Sequence, residues 1–518
     1  MSKKAEPAVK KNDANFFSKN RFETILFAVT FLVFVNSILN KYSLDDELVT
    51  ERNTQVSQGI GGIKTIFTSF YTEGSDTKYS FEYRPVVKAT YAIEYSLFGF
   101  NPTISHLINI LLYAITIVVL FRFLSFLFKN TNPLFSFLVC LLFAVHPLHT
   151  EVVASLKNRD ELLSLLFCLL TAKYAFDFML NKKWIAIPLA VICFFVAALS
   201  KRDALVFLGI IPLMGIYFYR KEIKWVLIIP AIILPWGVQS LMRNFAVNKV
   251  ANDRVLNFHE NPLFGDFNLM QRIAMASKSF GFYLKIFFIP YPLCFYYGYN
   301  QVTIPPFASV GFILPVLVGV FILWVIFKFF KSSPLLSFGL AFFVVSISIY
   351  LNIIMPAVGI VADRFDYVPG LGLCIAFVAA LGMVFKVDFS KEKKISFAKL
   401  KPALSYSLIA ICIVFSVCSM VRNRQWKSRM SLFAHDIKHL NNSAKANELL
   451  ASQYSAEASQ SQEPQQRNSL ADSAIKYFKR TLEIYPDYIT VYNNLGSIYF
   501  NMKGDLSTPL QYFKKAIE

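Results

Sequence analysis

The chain has 518 residues, of which 55% are hydrophobic, 16% aromatic and only 16% charged. A soluble globular protein carries about 25% charged residues, so the composition excludes an ordinary soluble domain and predicts a multi-pass membrane protein. The formal net charge of +19 would suggest nucleic acid in a soluble protein, but here the basic residues fall mostly in short loops between apolar runs. Orientation signals and anionic headgroups account for them there.

In chain order, the stretch MSKKAEPAVKKND is polar and basic, and the apolar run after it has no small-residue cleavage site. A cytoplasmic tail over 1–21 and a retained anchor are therefore expected. Apolar runs of spanning length recur near 22–39, 104–124, 133–148, 162–180, 184–199, 204–219, 225–241, 307–330, 335–354, 369–385 and 403–421. A further stretch, 273–290, is amphipathic, with Lys278 and Lys285 one heptad apart. If it does not cross, Arg122/Lys129, Lys182/Lys183, Arg220/Lys221/Lys224, Lys328/Lys331 and the lysines from Lys386 to Lys401 all share the cytoplasmic side. It is therefore assigned as a re-entrant or interfacial helix, leaving eleven spans. One basic run, VRNRQWKSR after the last span, violates this topology. The seven cysteines lie mostly in apolar runs and read as packing residues, with no disulfide or metal pattern.

This topology places every acid-containing junction on the face away from the cytoplasm. That face holds Asp45, Asp46 and Glu47, the first loop (40–103), HPLHTEVVASLKNRDE from His146, SKRD from Ser200, a second large loop (243–306) and VADRFDY from Val361. A bare transport bundle does not need its charges on one side; an enzyme at the outer surface does. The membrane module thus spans 22–421. From 422 to 518 the composition becomes that of a soluble helical region, expected to be extracytoplasmic. There YNNLGSIYFNMKGDLSTPLQYFKKAIE fits the tetratricopeptide pattern through Leu495, Gly496, Tyr499, Ala516 and the Gly504-Asp505 turn. Ala474, Phe478 and Pro486 belong to an earlier repeat, whose helices are expected to be separated by the polar insertion SQSQEPQQRNS.

Asp45, Asp46 and Glu47 exceed what a helix cap requires, and ionisable groups at membrane depth are functional hypotheses by default. Adjacent carboxylates push their pKa values apart, leaving one available as a catalytic base. Arg84, in FEYRPVV, offers a guanidinium fork for phosphate, or snorkels to headgroups. His146, His149 and Glu151 invite a metal reading, but HExxH spacing and cysteine ligands are missing. Orientation of a phosphate or sugar hydroxyl is preferred, so no cofactor is assigned and a divalent metal stays an alternative. Lys157, Arg159, Asp160 and Glu161 form either a solvated, self-neutralising junction or a cationic cluster for an anionic leaving group. Lys201-Arg202-Asp203 repeats the theme, as does Asp363-Arg364, with Asp366 placed to hold the arginine. His435 and His439 read as surface residues.

In order along the chain, DDE, YRP, FAVHPLHTEVVASLKNRDELL, HENPLF, ADRFDYVP and RNRQW are followed by tetratricopeptide repeats. The sequence resembles the transmembrane and tetratricopeptide repeat-containing O-mannosyltransferases, of the GT-C glycosyltransferase class, and similar microbial proteins. The resemblance covers nearly the whole chain; its most specific part is HPLHTE with the KNRDE tail. Two departures stand out: Lys201-Arg202 replaces the family's Lys-Glu, and the repeats are few.

The resemblance implies an all-α polytopic fold of GT-C type. It implies transfer of a sugar, mannose by default, from a polyprenyl-phosphate carrier to protein Ser/Thr on the extracytoplasmic face. Asp45 or Asp46 matches the family's base. The sugar donor's phosphate falls to cationic residues, among which Lys157, Arg159, Lys201 and Arg364 are candidates, with Arg84, His146, His149, Glu151 and Asp160 around them. Acceptor polypeptide would meet the repeats. Rival readings are an O-antigen polymerase or ligase, a transporter, and a non-catalytic scaffold. Richness in Lys, Phe, Ile and Asn, with no ER-retention signal, favours a bacterial inner membrane over the ER membrane.

Overall fold

In the computed structural model the described residues are 21–75, 82–222, 237, 241, 257–264, 268–389 and 401–517. The expected span at 225–241 lies almost wholly outside them, as do the tail before residue 21, most of 243–267, and residues 390–400. Among the described residues there are helices and turns but no strand. The membrane part contains α1 (Arg21–Phe34), α2 (Pro85–Phe98), α3 (Pro102–Leu127), α4 (Pro133–Val145), α5 (Arg159–Asn181), α6 (Ala186–Ser200) and α7 (Phe207–Phe218). It continues with α8 (Leu269–Phe288), α9 (Val310–Phe329), α10 (Pro334–Ile347), α11 (Tyr367–Val384) and α12 (Pro402–Gln425). Proline opens α2, α3, α4, α10 and α12. Its missing N–H costs nothing at the first helical position.

Among the described residues, five helical segments are long and apolar enough to cross a bilayer: Pro102–Leu127, Leu156–Asn181, Val310–Phe329, Asp363–Val384 and Pro402–Gln425. Pro133–Val145 with Pro147–Ala154 makes a sixth if the 55° bend at His146 is counted within one span. The runs near 22–39 and 204–219 give helices of only 14 and 12 residues. Polar residues at their site-side ends, Ser37 and Asp203, sit in 3-10 turns instead. Eleven apolar runs are therefore not eleven full-length helices.

The bundle has two chemically different ends. At one, Arg122 pairs with Glu23 at 2.8 Å, Lys129 with Glu222 at 2.9 Å, and the Asn132 N–H meets the Phe389 carbonyl at 2.8 Å. The carboxylates and cations of the candidate site gather at the other. Helix α8 has both ends there: Arg272 donates to the Ile353 carbonyl at 3.1 Å, and His146 meets the Phe287 carbonyl at 3.0 Å.

Beyond α12 follow α13 (Arg429–Leu440), α14 (Ala444–Gln460), α15 (Pro464–Ile484), α16 (Ile489–Lys503) and α17 (Thr508–Ile517). The polar insertion expected between two repeat helices is mostly helical, because Pro464 starts α15 early and only 461–463 break the chain. Gly496 lets α16 approach α17 closely: a Cβ there would sit 2.5 Å from the Phe513 ring. Gly504 ends α16 at φ 64°, a left-handed cap that glycine adopts without steric cost.

Candidate active site

After α1 the chain turns through Leu44, at φ 47°, and enters a 3-10 turn over Asp46–Val49. The two adjacent aspartates have opposite surroundings. Asp46 is fully buried. Its carboxylate accepts from Ser43 N at 2.9 Å, Ser43 Oγ at 3.3 Å, Ser155 Oγ at 3.1 Å and Lys157 N at 2.8 Å. Burial pushes its pKa up to about 6 against those hydrogen bonds. All four of these acceptor directions are taken, two by Ser43 within the first loop and two by the 155–157 turn.

Asp45 keeps 45% of its side chain exposed and accepts from Lys157 Nζ at 2.7 Å. Desolvation works against its charge, but Lys157, with Arg429 and Arg364 behind it, pulls its pKa down to about 2. It is a held carboxylate with a free edge. Glu47 takes Arg52 at 2.8 Å and Arg429 at 2.9 Å.

The other expected residues converge on the same end of the bundle. Arg84, just before Pro85 of α2, pairs with Asp160 and with Glu82 and lies 5.3 Å from the Tyr71 ring centroid. Lys201, at the end of α6, is buried against Glu161 and reaches Asp203 at 3.1 Å. Burial opposes its charge, yet those carboxylates more than offset this and hold its pKa above the ordinary lysine value. Glu151 receives Arg364 through Nη1 at 2.5 Å and through its backbone N–H at 2.9 Å. The arginine is thus fixed by Glu151 and not by Asp366, whose two oxygens have no hydrogen-bond partner among the described residues. Phe365 stacks on Tyr350 with centroids 4.5 Å apart, and the Tyr350 hydroxyl donates to Asp203 at 2.7 Å.

Arg159, His146 and His149 are enclosed, each 1% exposed. Arg159 is buried by Glu94, by Asn109 at 2.6 Å, by Thr90 at 3.0 Å and by the Ser105 carbonyl at 3.2 Å, with the Tyr91 ring at 4.1 Å. Its role is to pin α2 to α3 and α5. His149 faces the Tyr113 hydroxyl at 2.8 Å, and His146 stacks on Phe287 at 4.7 Å while its Nδ1 accepts from Leu148 N at 3.3 Å. Both rings serve the bend between Pro133–Val145 and Pro147–Ala154. Among the described residues, no three of His, Cys, Asp or Glu are grouped to hold a metal ion.

The KNRDE stretch is therefore not a solvated junction. Each of its charged residues has a partner distant in sequence. Two residues of the basic run at the end of α12 likewise find internal partners: Arg422 makes a two-pronged pair with buried Asp436 at 2.6 and 2.8 Å, and Arg429 reaches Glu47. His435 meets Asp436 at 2.9 Å and His439 meets the Tyr291 hydroxyl at 3.4 Å, so neither is simply a surface residue. Sequence reasoning missed Glu94, Asn109 and Asp436. The polar Ser105, His106 and Asn109 inside an apolar run were the available signal for the first two.

Beside Lys201 a small cavity of about 10 Å³, room for about one water, lies among α5, α7, α10 and α11. Glu161, Asp203 and Tyr350 form its polar rim, and Leu165, Val206, Phe207, Ile349 and Val368 its apolar wall.

No protein-family model matches the chain. Among curated proteins it is similar to protein O-mannosyl-transferase TMTC3 of Homo sapiens, 24% identical over 516 residues covering 92% of this chain and 53% of that protein. It is also similar to protein O-mannosyl-transferase TMTC1 of Homo sapiens, 24% identical over 523 residues, 92% of this chain and 56% of that one. Protein O-mannosyl-transferase TMTC4 of Mus musculus is 23% identical over 462 residues, 78% of this chain and 60% of that one. The chain spans about half the length of these curated relatives. The relatives agree with the resemblance read from its motifs.

Proposed function

From its kinship with protein O-mannosyl-transferases, we propose that the chain is a membrane mannosyltransferase. It would move mannose from a polyprenyl-phosphate carrier to Ser or Thr hydroxyls of proteins at the membrane face where its carboxylates gather. Asp45 is the base. The observation that carries this reading is the contrast within the aspartate pair: Asp46 has no free acceptor direction, whereas Asp45 is open and flanked by cations.

In this reaction the acceptor oxygen attacks the anomeric carbon while Asp45 takes its proton. The carbon–oxygen bond to phosphate breaks, and its electron pair leaves on the phosphate. A Ser or Thr hydroxyl is a poor nucleophile, and a positioned base contributes about 10²–10⁴-fold. The leaving phosphate needs cations fixed beforehand. Lys157 and Arg364 are the nearest candidates, each already oriented by a carboxylate. Lys201 and Arg84 lie at the same end of the bundle, each held between two carboxylates. The C-terminal helices, read as tetratricopeptide repeats, would present acceptor polypeptide. The working face is extracytoplasmic, and composition favours a bacterial inner membrane.

The test is purified protein with polyprenyl-phosphate-mannose or -glucose and a Ser/Thr peptide. Transfer of mannose in preference to glucose is expected. No transfer from any polyprenyl-phosphate sugar would overturn the proposal and leave the scaffold reading.

A further inference from the structure

The residues between α1 and the 3-10 turn over Asp46–Val49 are braced from outside their own segment. They lie against the end of α12 and the start of α13, and side chains and backbone join the two step by step. Asn36 Nδ2 donates to the Met420 carbonyl at 2.7 Å, and Asn40 Nδ2 to the Asn423 carbonyl at 3.1 Å. Asn423 returns bonds to the Val33 carbonyl and to Asn36, each at 3.0 Å. Lys41 N donates to the Lys427 carbonyl at 2.9 Å. The last rung is Arg429. Its Nε donates to the Leu44 carbonyl at 2.8 Å and its Nη1 reaches Glu47 Oε2 at 2.9 Å. One guanidinium thus bridges the residue before Asp45 and the residue two after it.

Leu44 is where such a bridge matters. Its φ of 47° lies in the left-handed region, which a branched apolar residue rarely enters unless its surroundings force it. That turn sets the direction in which Asp45 leaves the backbone. Arg429 is itself rigidly placed, as the first residue of α13 behind a capping box in which Ser428 and Ser431 exchange bonds at 3.2 and 2.8 Å. Glu47 is further steadied by Arg52 at 2.8 Å.

We infer that Arg429 is a positioning residue: with Glu47 as its anchor, it holds Leu44 in the left-handed turn that aims Asp45 at the acceptor. This rests on the proposed role of Asp45. It gives Glu47 a function and explains why the basic run after the last span sits on the carboxylate side of the membrane. It also makes the start of the C-terminal helices part of the reacting site. The charge of Arg429 contributes to keeping Asp45 ionised.

The experiment compares Arg429→Ala, Arg429→Lys and the double variant Arg429→Ala/Leu44→Gly in the full-length protein. It measures kcat and sugar-donor KM for mannose transfer, and amide hydrogen exchange over 41–52. Forcing an L-residue into the left-handed region weights against it by a factor on the order of ten. Arg429→Ala is therefore expected to lower kcat about tenfold or more and to speed exchange over 41–52. The KM should stay within about twofold, because Lys157, Lys201 and Arg364 are untouched. Arg429→Lys, with one point of attachment, falls between. Glycine at 44 enters the turn freely, so the double variant should recover kcat. Unchanged kcat and exchange in Arg429→Ala would overturn the inference, as would a loss that Leu44→Gly does not relieve. If Asp45→Asn retains full activity, the base reading fails. If Asp45→Asn is inactive and Arg429→Ala is fully active, only the positioning inference fails.

Discussion

Replacing Asp45 and Asp46 by Asn, one at a time, separates the carboxylate that reacts from the one that holds the turn. Asp46 presents two oxygens to four donors, with Ser43 N and Oγ on Oδ2, and Ser155 Oγ and Lys157 N on Oδ1. Asparagine has one acceptor oxygen, so two of those donors lose their partner. At about 1–3 kcal/mol for each buried donor left unmet, Asp46→Asn should cost about 2–6 kcal/mol of stability. Asp45 is part-exposed and its bond to Lys157 is partly screened, so its contribution to folding is at most about 1 kcal/mol. Losing the base, however, should lower kcat by about 10²–10⁴-fold. The assay is mannose transfer to a Ser/Thr peptide alongside apparent unfolding temperature, both on detergent-purified protein. Asp45→Asn should unfold like the parent chain and be nearly inert. Asp46→Asn should unfold at lower temperature and keep measurable turnover while folded. An Asp45→Asn variant within tenfold of parent activity would refute the reasoning. So would an inert Asp46→Asn variant as stable as the parent.

Lys201→Gln removes the ammonium that Glu161 and Asp203 share; breaking such a buried pair should cost about 3–5 kcal/mol, read as a lower apparent unfolding temperature. Gly496→Ala drives a Cβ to 2.5 Å from the Phe513 ring and should loosen α16 from α17 by about 1–3 kcal/mol, seen as faster proteolytic cleavage near the 504–507 turn. Lys88 is buried, donating to Gln55 Oε1 at 2.6 Å and the Glu73 carbonyl at 2.5 Å, and burial lowers its pKa from 10.5 to about 7. The folded chain then binds this proton less tightly than the unfolded chain. Its stabilising contribution is therefore full above about pH 10.5 and lost as pH falls through about 7, at most about 5 kcal/mol across the window. The unfolding temperature of the parent should rise against that of Lys88→Met from pH 7 to 10, and an unchanged difference would refute this.

The common side of the charged junctions was legible, because positive loops and apolar run lengths fix which ends of the spans coincide. Their pairing was not. Asp45 finds Lys157, 112 positions away, Arg84 finds Asp160 at 76, and Arg364 finds Glu151 at 213. Nothing local distinguishes those partners from nearer carboxylates, so Asp366 looked like the natural mate of Arg364. Burial was not legible for the same reason. KNRDE has the composition of a solvated surface, yet Arg159 and Asp160 are each 1% exposed because the first loop folds over them. The basic run after α12 looked like a topological error because an arginine in a buried pair reads, in one dimension, like an arginine in a loop.

The pairing of Asp45 with Lys157 bears on the order of events in the proposed reaction. A carboxylate with pKa about 2 is well placed for an anion but is a weak base. The cation that weakens it is also among those best placed to meet a phosphate. A sugar-donor phosphate arriving at Lys157 competes with Asp45 for the same ammonium protons, and partial release of Asp45 raises its basicity at the moment an acceptor hydroxyl needs it. Asp46 could not take part in such an exchange, since two of its four partners are backbone amides that cannot turn away. The arrangement therefore favours sugar donor before acceptor. Acceptor bound first would face a carboxylate still held by Lys157, and proton removal would wait for the phosphate.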